Sequence, residues 1–124
     1  MIQRETRQRR AIRKTFEEAG HPLSPKELLD AARSHVGGLG IATIYRNLKS
    51  LQDDGWIVPV DLPGEPSRYE IAGKGHHHHF HCRSCDRVYE VDGCPGNLRS
   101  VTPDGFRLES HEFVLYGLCE ACAA

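Results

Sequence analysis

Two pairs of cysteines with the same spacing constrain this chain more than any other feature. The first pair is Cys82 and Cys85, and the second is Cys119 and Cys122. Each Cys-x-x-Cys turn presents two sulfurs to one ion, so two turns complete a tetrahedral set of thiolate ligands for Zn2+. A redox dithiol needs only one such pair, usually in a βαβ context. The sequence therefore predicts a structural zinc site with no open position for catalysis.

The length of 124 residues allows one domain or two small ones, and a small second domain needs a staple such as zinc. We predict a boundary near the Gly-Lys-Gly run at residues 73–75, which gives domains at 1–73 and 74–124. No apolar run approaches the roughly 20 residues that span a bilayer, and the N-terminal stretch lacks a signal-peptide core. We therefore expect a cytoplasmic protein with reduced cysteines and no membrane contact.

The net charge of -1 conceals an uneven distribution. Residues 1–50 contain ten Lys or Arg and five Asp or Glu, whereas the remaining residues contain six and twelve. A basic first half is the electrostatic footprint of a phosphate-binding surface, although an ordinary solvated helix face has the same composition. The charge pattern alone leaves both interpretations open.

The first domain is predicted to contain three helices followed by two strands. The second helix has the clearest start, because Ser24 caps it, Pro25 suits its first position and Glu27 completes a capping box. The order is typical of a winged helix-turn-helix, whose third helix enters the DNA major groove. The expected helices are residues 6–19, a second from residue 25 that ends before the glycine-rich loop at 37–40, and residues 42–54. The expected strands are residues 56–60 and 68–71.

The third helix carries an outward face suited to reading DNA. Thr43, Tyr45, Arg46 and Lys49 offer hydroxyl, stacking and cationic contacts on that face. A structural amphipathic helix can look the same, but the order of elements favours DNA binding.

The second domain is expected to be small and stapled by zinc, so the predicted fold class is α+β overall, with an α/β second domain. A stretch rich in Pro and Gly interrupts its strands and leaves room for only a short helix near residues 97–101. The expected strands are residues 78–81, 88–91, 106–108 and 113–116.

Four consecutive histidines, at residues 76–79, precede the first cysteine pair. Alternate residues of a strand share a face, so His77 and His79 point one way and His76 and His78 the other. Imidazoles beside a zinc knuckle favour metal binding over a solvated polar strand. Two adjacent metal sites on opposite faces are therefore expected.

The first of these sites can draw ligands from the first domain. Glu70, on the last strand of the first domain, can supply a carboxylate to His77 and His79. His21, between the first two helices, can add a further ligand.

The second site is an additional one on the other face. There His111 is expected to join His76 and His78, with Glu90 as a weaker candidate. Cys94 is interpreted as an ordinary small residue, although a spare ligand or redox role is conceivable.

Three motifs together resemble the ferric uptake regulator family of bacterial metal-responsive repressors. Residues 40–48 look like its recognition-helix signature, residues 77–85 are similar to its His-rich strand and first knuckle, and residues 115–122 resemble its closing strand and second knuckle. The likeness covers nearly the whole chain and extends to the zinc uptake regulator branch. It implies a homodimer that binds an A·T-rich pseudo-palindrome in double-stranded DNA when its sensing metal is bound.

The resemblance also assigns roles to residues and shows where this chain departs. Tyr45 and Arg46 match base- and backbone-contacting residues, and Arg4 or Arg7 stands for a minor-groove cation. Pro22 holds the place of the usual N-terminal sensing histidine. The dimerisation-domain helix is shortened, and Asn97 replaces an acidic ligand expected near its start.

We therefore expect a zinc-responsive transcriptional repressor rather than an enzyme. A sensed Zn2+ is favoured over Fe2+ or Mn2+ because the ligands are rich in imidazole and poor in carboxylate. Iron-, manganese- or peroxide-responsive regulation remains an alternative, as does metal storage or delivery. A zinc hydrolase or deaminase would need an open zinc position and a poised acid or base.

Overall fold

The computed structural model describes residues 6–124, which form two compact units that meet in sequence between Lys74 and Gly75. The predicted α+β fold class is confirmed. Among the described residues, no helix combines the length and apolar character needed to cross a membrane. The elements are α1 (Arg7–Ala19), α2 (Pro25–Ala32), α3 (Ile41–Asp53), β1 (Ile57–Val60), β2 (Arg68–Ile71), β3 (His78–Cys82), β4 (Val88–Val91), a 3-10 turn (Arg99–Val101), β5 (Val114–Gly117) and α4 (Glu120–Ala123).

The helices of the N-terminal unit begin and end where local signals predict. The α1 helix ends at Gly20, whose φ of 68° lies in the left-handed region that favours glycine. At the start of α2 the predicted capping box is present: the Glu27 N–H donates to Ser24 Oγ at 3.1 Å, and the Ser24 N–H donates to Glu27 Oε1 at 2.9 Å. Two N–H groups that the helix itself cannot satisfy thereby gain partners.

Ser24→Ala is expected to lower the free energy of unfolding of the N-terminal unit by about 1 kcal/mol, because it removes the hydroxyl acceptor of the capping box. The fluorescence of Trp56, the only tryptophan, reports urea unfolding of this unit. Ser34→Ala is the control, since the exposed Ser34 hydroxyl only donates to Ala31 O near the other end of α2. Equal midpoints for the two variants would contradict the assigned cap.

The hydrophobic core of the N-terminal unit orients α3. Ile44, Leu48 and Leu51 are buried on its inner side, so the intervening Tyr45 and Arg46 face outward. The ring of Trp56 packs edge-on against Phe16, with 6.1 Å between ring centroids. The buried core residues are Ile12, Phe16, Leu23, Leu28, Leu29, Ala32, Leu39, Ile44, Leu48, Leu51 and Ile57.

A two-stranded hairpin completes this unit. The strands β1 and β2 pair antiparallel, with Ile57 opposite Ile71 and Val60 opposite Arg68. Leu23 and Tyr69 exchange two backbone hydrogen bonds of 2.9 Å, which attach the α1–α2 connection to β2. Three helices followed by this hairpin form the predicted winged helix-turn-helix.

The C-terminal unit is built on a three-stranded sheet in the order β4-β3-β5. The central β3 pairs antiparallel with β4 and parallel with β5, and Cys82 lies opposite Gly117. A Cβ on Gly117 would lie 3.1 Å from the Phe80 ring, so only glycine allows this close approach without a shift. Parallel pairing brings the C-terminal ends of β3 and β5 to one end of the sheet, and the two cysteine pairs begin there.

Two predictions for this unit need correction, and one element was not predicted. Residues 106–108 form no strand, because Phe106 and Leu108 are largely exposed and have no paired strand in the described sheet. The expected short helix is only the 3-10 turn Arg99–Val101. The short helix α4, which carries Cys122, was not predicted.

Candidate metal centres and nucleic-acid interface

The four paired cysteines meet at one end of the C-terminal sheet. Cys82 ends β3, Cys85 lies in the following turn, Cys119 follows β5 and Cys122 lies in α4. Their sulfurs all lie within 4.8 Å of one another, and those of Cys85 and Cys119 are 3.9 Å apart. A tetrahedron with Zn–S bonds of about 2.3 Å has S–S edges of about 3.8 Å. The four thiols therefore fit a zinc ion with no open coordination position.

Hydrogen bonds prepare this cluster for metal binding. The N–H groups of Cys85 and Cys119 point at the Cys82 sulfur, at 3.5 and 3.4 Å, and lower the pKa of Cys82 to about 6. The Tyr89 hydroxyl donates to Cys119, which lowers the pKa of Cys119 and raises that of Tyr89 to about 12. One cysteine of each pair is thus held toward the thiolate form that zinc requires.

The fourth thiol behaves differently. The Ser84 hydroxyl lowers the pKa of Cys122, but hydrogen bonding to Cys119 and Cys82, together with burial, outweighs it and raises the pKa to about 11. The cluster therefore holds Cys122 toward its protonated form. A zinc ion bound here would displace that proton, because zinc takes the thiolate.

His77 and His79 share one face of the C-terminal unit, as strand alternation predicts. Their ring centroids are 4.8 Å apart, and both side chains are half-buried. The His77 Nδ1 lies 2.7 Å from the Gly75 carbonyl oxygen, so Nδ1 carries the proton and Nε2 is the basic nitrogen. The two imidazoles are therefore close enough to offer two nitrogen ligands to one metal ion on this face.

The N-terminal unit holds the other two predicted regulatory residues. Glu70 lies in β2 and its side chain is buried, whereas His21 is half-buried after α1. The His21 Nδ1 donates to the Pro22 carbonyl oxygen at 2.8 Å, which makes Nε2 its basic nitrogen. The Leu23–Tyr69 bridge places the segment that follows His21 beside the strand that carries Glu70.

Four side chains form a separate cluster, which we call the His3Cys cluster: His76, His78, Cys94 and His111. One potential ligand atom from each lies within 4.8 Å of all the others. Burial lowers the pKa of His78, and the neighbouring imidazoles of His76 and His111 lower it further. The predicted grouping of three histidines is present, and the structure adds the thiol of Cys94, which the sequence interpretation treated as an ordinary residue.

Glu90 does not join this cluster. It lies directly opposite His79 in the β3–β4 pairing, and directly paired residues project from the same face of a sheet. Glu90 is therefore on the face away from His78. The sequence alone does not give the strand register that places Glu90 on this face. The one signal for Cys94 in the sequence is that it is a cysteine outside the two Cys-x-x-Cys pairs.

The predicted DNA-reading residues occupy the outer side of α3. Tyr45 is 56% exposed, Arg46 and Lys49 are also exposed, and the Arg46 guanidinium donates to Thr43 Oγ1 at 3.0 Å. Arg7 is exposed at the start of α1, whereas Arg4 lies outside the described residues. Arg7 also lines a shallow surface depression with two further cations, Arg10 and Lys14. The N-terminal unit thus presents basic and aromatic side chains suited to a DNA duplex.

Comparison with known proteins places most of this chain in one family. The profile of the Ferric uptake regulator family matches residues 3–116. The ferric uptake regulation protein of Staphylococcus aureus is 30% identical over 118 residues, which cover 94% of this chain and 86% of that protein.

Two solved structures extend the likeness to the fold. A zinc-bound manganese uptake regulator superposes with a TM-score of 0.84 at 30% identity, over 94% of this chain and 91% of that one. The Helicobacter pylori ferric uptake regulator, described as having three functional metal binding sites, gives 0.71 at 26% identity over 98% and 83%. Since the family profile spans both units, this chain belongs to the ferric uptake regulator family of metal-responsive transcriptional regulators.

Proposed function

We propose that this chain is a zinc-sensing, DNA-binding transcriptional repressor. In this proposal it acts as a homodimer in the cytoplasm and binds an A·T-rich pseudo-palindromic operator when its regulatory metal is bound. One observation carries the proposal: the C-terminal unit has a closed four-cysteine cluster and, apart from it, an imidazole pair. A closed zinc site stabilises the fold and exchanges slowly, so sensing requires other ligands. The pair His77 and His79 offers them.

The regulatory metal is proposed to take His77 and His79, with Glu70 and His21 as further ligands from the N-terminal unit. Metal binding would then favour the arrangement of the chain that binds DNA. Because such coupling is reciprocal and typically amounts to about 1–3 kcal/mol, metal is expected to raise DNA affinity by about 5- to 150-fold.

Zinc is the proposed signal because its affinity for imidazole ligands exceeds that of Mn2+ and Fe2+ in the usual order of divalent metals. The similar solved structures carry the names of manganese and ferric uptake regulators, and one of them is zinc-bound. Iron-, manganese- or peroxide-responsive regulation is therefore the second candidate function. These alternatives differ in which divalent metal raises DNA affinity at the lowest free concentration.

DNA recognition is assigned to α3, with Tyr45 and Arg46 reaching bases and backbone and Thr43, Lys49 and Arg7 supporting them. The dimer is proposed to use β5, an edge strand with exposed Leu115 and Tyr116. An unpaired apolar edge is a template for association, and a two-fold dimer would present two recognition helices to half-sites about one helical turn apart.

An enzymatic or storage role explains fewer features. The four-cysteine cluster leaves no zinc position for water or substrate, which a hydrolase or deaminase needs. A storage protein would have no use for the capped helix-turn-helix and its outward cations. Regulation accounts for both units.

The double substitution His77→Ala and His79→Ala is expected to abolish the effect of zinc on DNA affinity while leaving the basal affinity and the four-cysteine zinc unchanged. The measurement is fluorescence anisotropy with a labelled A·T-rich pseudo-palindrome, over a titration with Zn2+ and in its absence. His35→Ala is the matched control, because it removes an imidazole that instead lies 2.7 Å from the Glu18 carboxylate.

Two results would contradict this proposal in different ways. If zinc still raises DNA affinity in the double variant, the sensing ligands are wrong. If Fe2+ or Mn2+ raises wild-type affinity at lower free metal than Zn2+, the sensed ion is wrong and the second candidate function holds.

A further inference from the structure

Three members of the His3Cys cluster have their potential ligand atoms in close contact. His76 Nε2 and His111 Nε2 are 3.1 Å apart, and the Cys94 sulfur lies 3.1 Å from His111 Nε2 and 3.6 Å from His76 Nε2. These residues come from three separate places along the chain, before β3, after β4 and before β5. Three imidazoles and a thiol that converge from distant positions form a ligand set rather than a local sequence effect.

His78 adds an independent indication. Its side chain is 3% exposed, and its Nε2 is buried without a hydrogen-bond partner among residues 6–124. The Phe113 N–H approaches its Nδ1 at 3.2 Å, which is at the long limit for such a bond. A buried ring nitrogen without a partner is costly. An ion bound at Nε2 would supply that partner. The ring proton would then lie on Nδ1, so only the weak hydrogen bond from Phe113 would be lost.

We infer that Cys94 is a metal ligand and that it completes a second four-coordinate site with His76, His78 and His111. This site takes a borderline or soft divalent ion, and zinc fits it best, because a thiolate and three imidazoles suit zinc in tetrahedral geometry. The carboxylate expected at this place by resemblance would suit manganese or ferrous iron better. The thiolate therefore favours zinc over manganese and ferrous iron at this site.

The position of Cys94 gives the ion a way in. Cys94 and His76 are both exposed, whereas His78 is buried and His111 is half-buried. An ion can therefore meet the exposed pair first and then the inner imidazoles. The inference does not depend on the regulatory role of His77 and His79, since no residue is shared between the two ligand sets.

Cobalt provides a direct test, because a thiolate bound to Co2+ gives a near-ultraviolet charge-transfer band and imidazoles alone do not. Full-length protein that retains one zinc is titrated anaerobically with Co2+, and zinc content is measured on the same samples. We expect the charge-transfer band and the strong visible bands of four-coordinate cobalt, with zinc retained. Added Zn2+ should remove the charge-transfer band, whereas Mn2+ in large excess should not.

Substitutions at Cys94 separate its role from that of the histidines. Cys94→Ser is expected to lose the charge-transfer band and to bind Co2+ at least tenfold more weakly, since even indirect partners of a ligand contribute 10- to 100-fold. Cys94→Asp should bind Co2+ without that band. His77→Ala with His79→Ala is the matched control and should keep the band.

Two outcomes would overturn the inference. One is a wild-type protein that retains zinc and binds further cobalt without the charge-transfer band. The other is a band that persists in Cys94→Ser. In each case zinc retention shows that the four-cysteine site and the C-terminal unit are intact, so the failure belongs to Cys94 and not to folding or to the regulatory proposal.

Discussion

Replacing Cys82 with serine is expected to release zinc from the four-cysteine cluster and to unfold the C-terminal unit while the N-terminal unit stays folded. Cys82 is fully buried at the end of the central strand and accepts two backbone N–H groups. Structural zinc contributes about 10–16 kcal/mol in small zinc-stapled domains, far more than a three-stranded sheet of this size can replace. The loss of one thiolate therefore removes most of the stability of this unit.

Zinc content after desalting and amide hydrogen exchange measure this result together. Amides of β3, β4 and β5 should lose their protection, whereas the fluorescence of Trp56 should be unchanged because Trp56 packs in the N-terminal core. Cys94→Ser is the control for the same chemical change outside the four-cysteine cluster, and it should retain the zinc. A protected C-terminal sheet in zinc-free Cys82→Ser would contradict the prediction.

Ile44→Ala is expected to have the second largest effect, a loss of about 2–5 kcal/mol in the free energy of unfolding of the N-terminal unit. Ile44 is fully buried on the inner side of α3 and belongs to the core that all three helices share. Its truncation removes apolar contacts and leaves a cavity that packed neighbours fill only in part. Because small domains have about 5–15 kcal/mol of stability, such a loss lowers the urea concentration at the midpoint of unfolding strongly.

Urea unfolding followed by Trp56 fluorescence measures the Ile44→Ala effect. Tyr45→Ala is the matched control on the same helix, since Tyr45 is exposed and its truncation should change stability by less than about 0.5 kcal/mol. Tyr45→Ala should nevertheless weaken DNA binding, because Tyr45 lies on the outer face of α3, while the stability of the unit stays unchanged. If Ile44→Ala and Tyr45→Ala unfold at the same urea concentration, α3 does not pack as described.

The parts of the fold that the sequence predicts well depend on local signals. The capping box at Ser24, the left-handed Gly20 and the alternation of His76 to His79 all act within a few residues. The parts that it missed depend on partners far along the chain. Residues 106–108 have strand-like side chains, but no strand in the described part of the chain lies beside them, and a strand needs a partner for its backbone groups.

The candidate sites follow the same division. The spacing of the cysteine pairs is local information, so all four thiols of that cluster could be named before the structure. Cys94 could not, because its neighbours His76 and His111 lie far from it in sequence and an irregular segment brings it to them. Glu90 was expected at this place because only the strand register shows that it shares a face with His79.

The parallel pairing of β3 with β5 sets an order of events during folding. The β3–β4 hairpin and its cysteine turn are close in sequence, so they can form early, whereas β5 must return past residues 92–113 before it pairs. Closing that longer loop costs entropy before any strand contact offsets it. We therefore expect the pairing of β5, which brings Cys119 to the first cysteine pair, to form later than the β3–β4 hairpin.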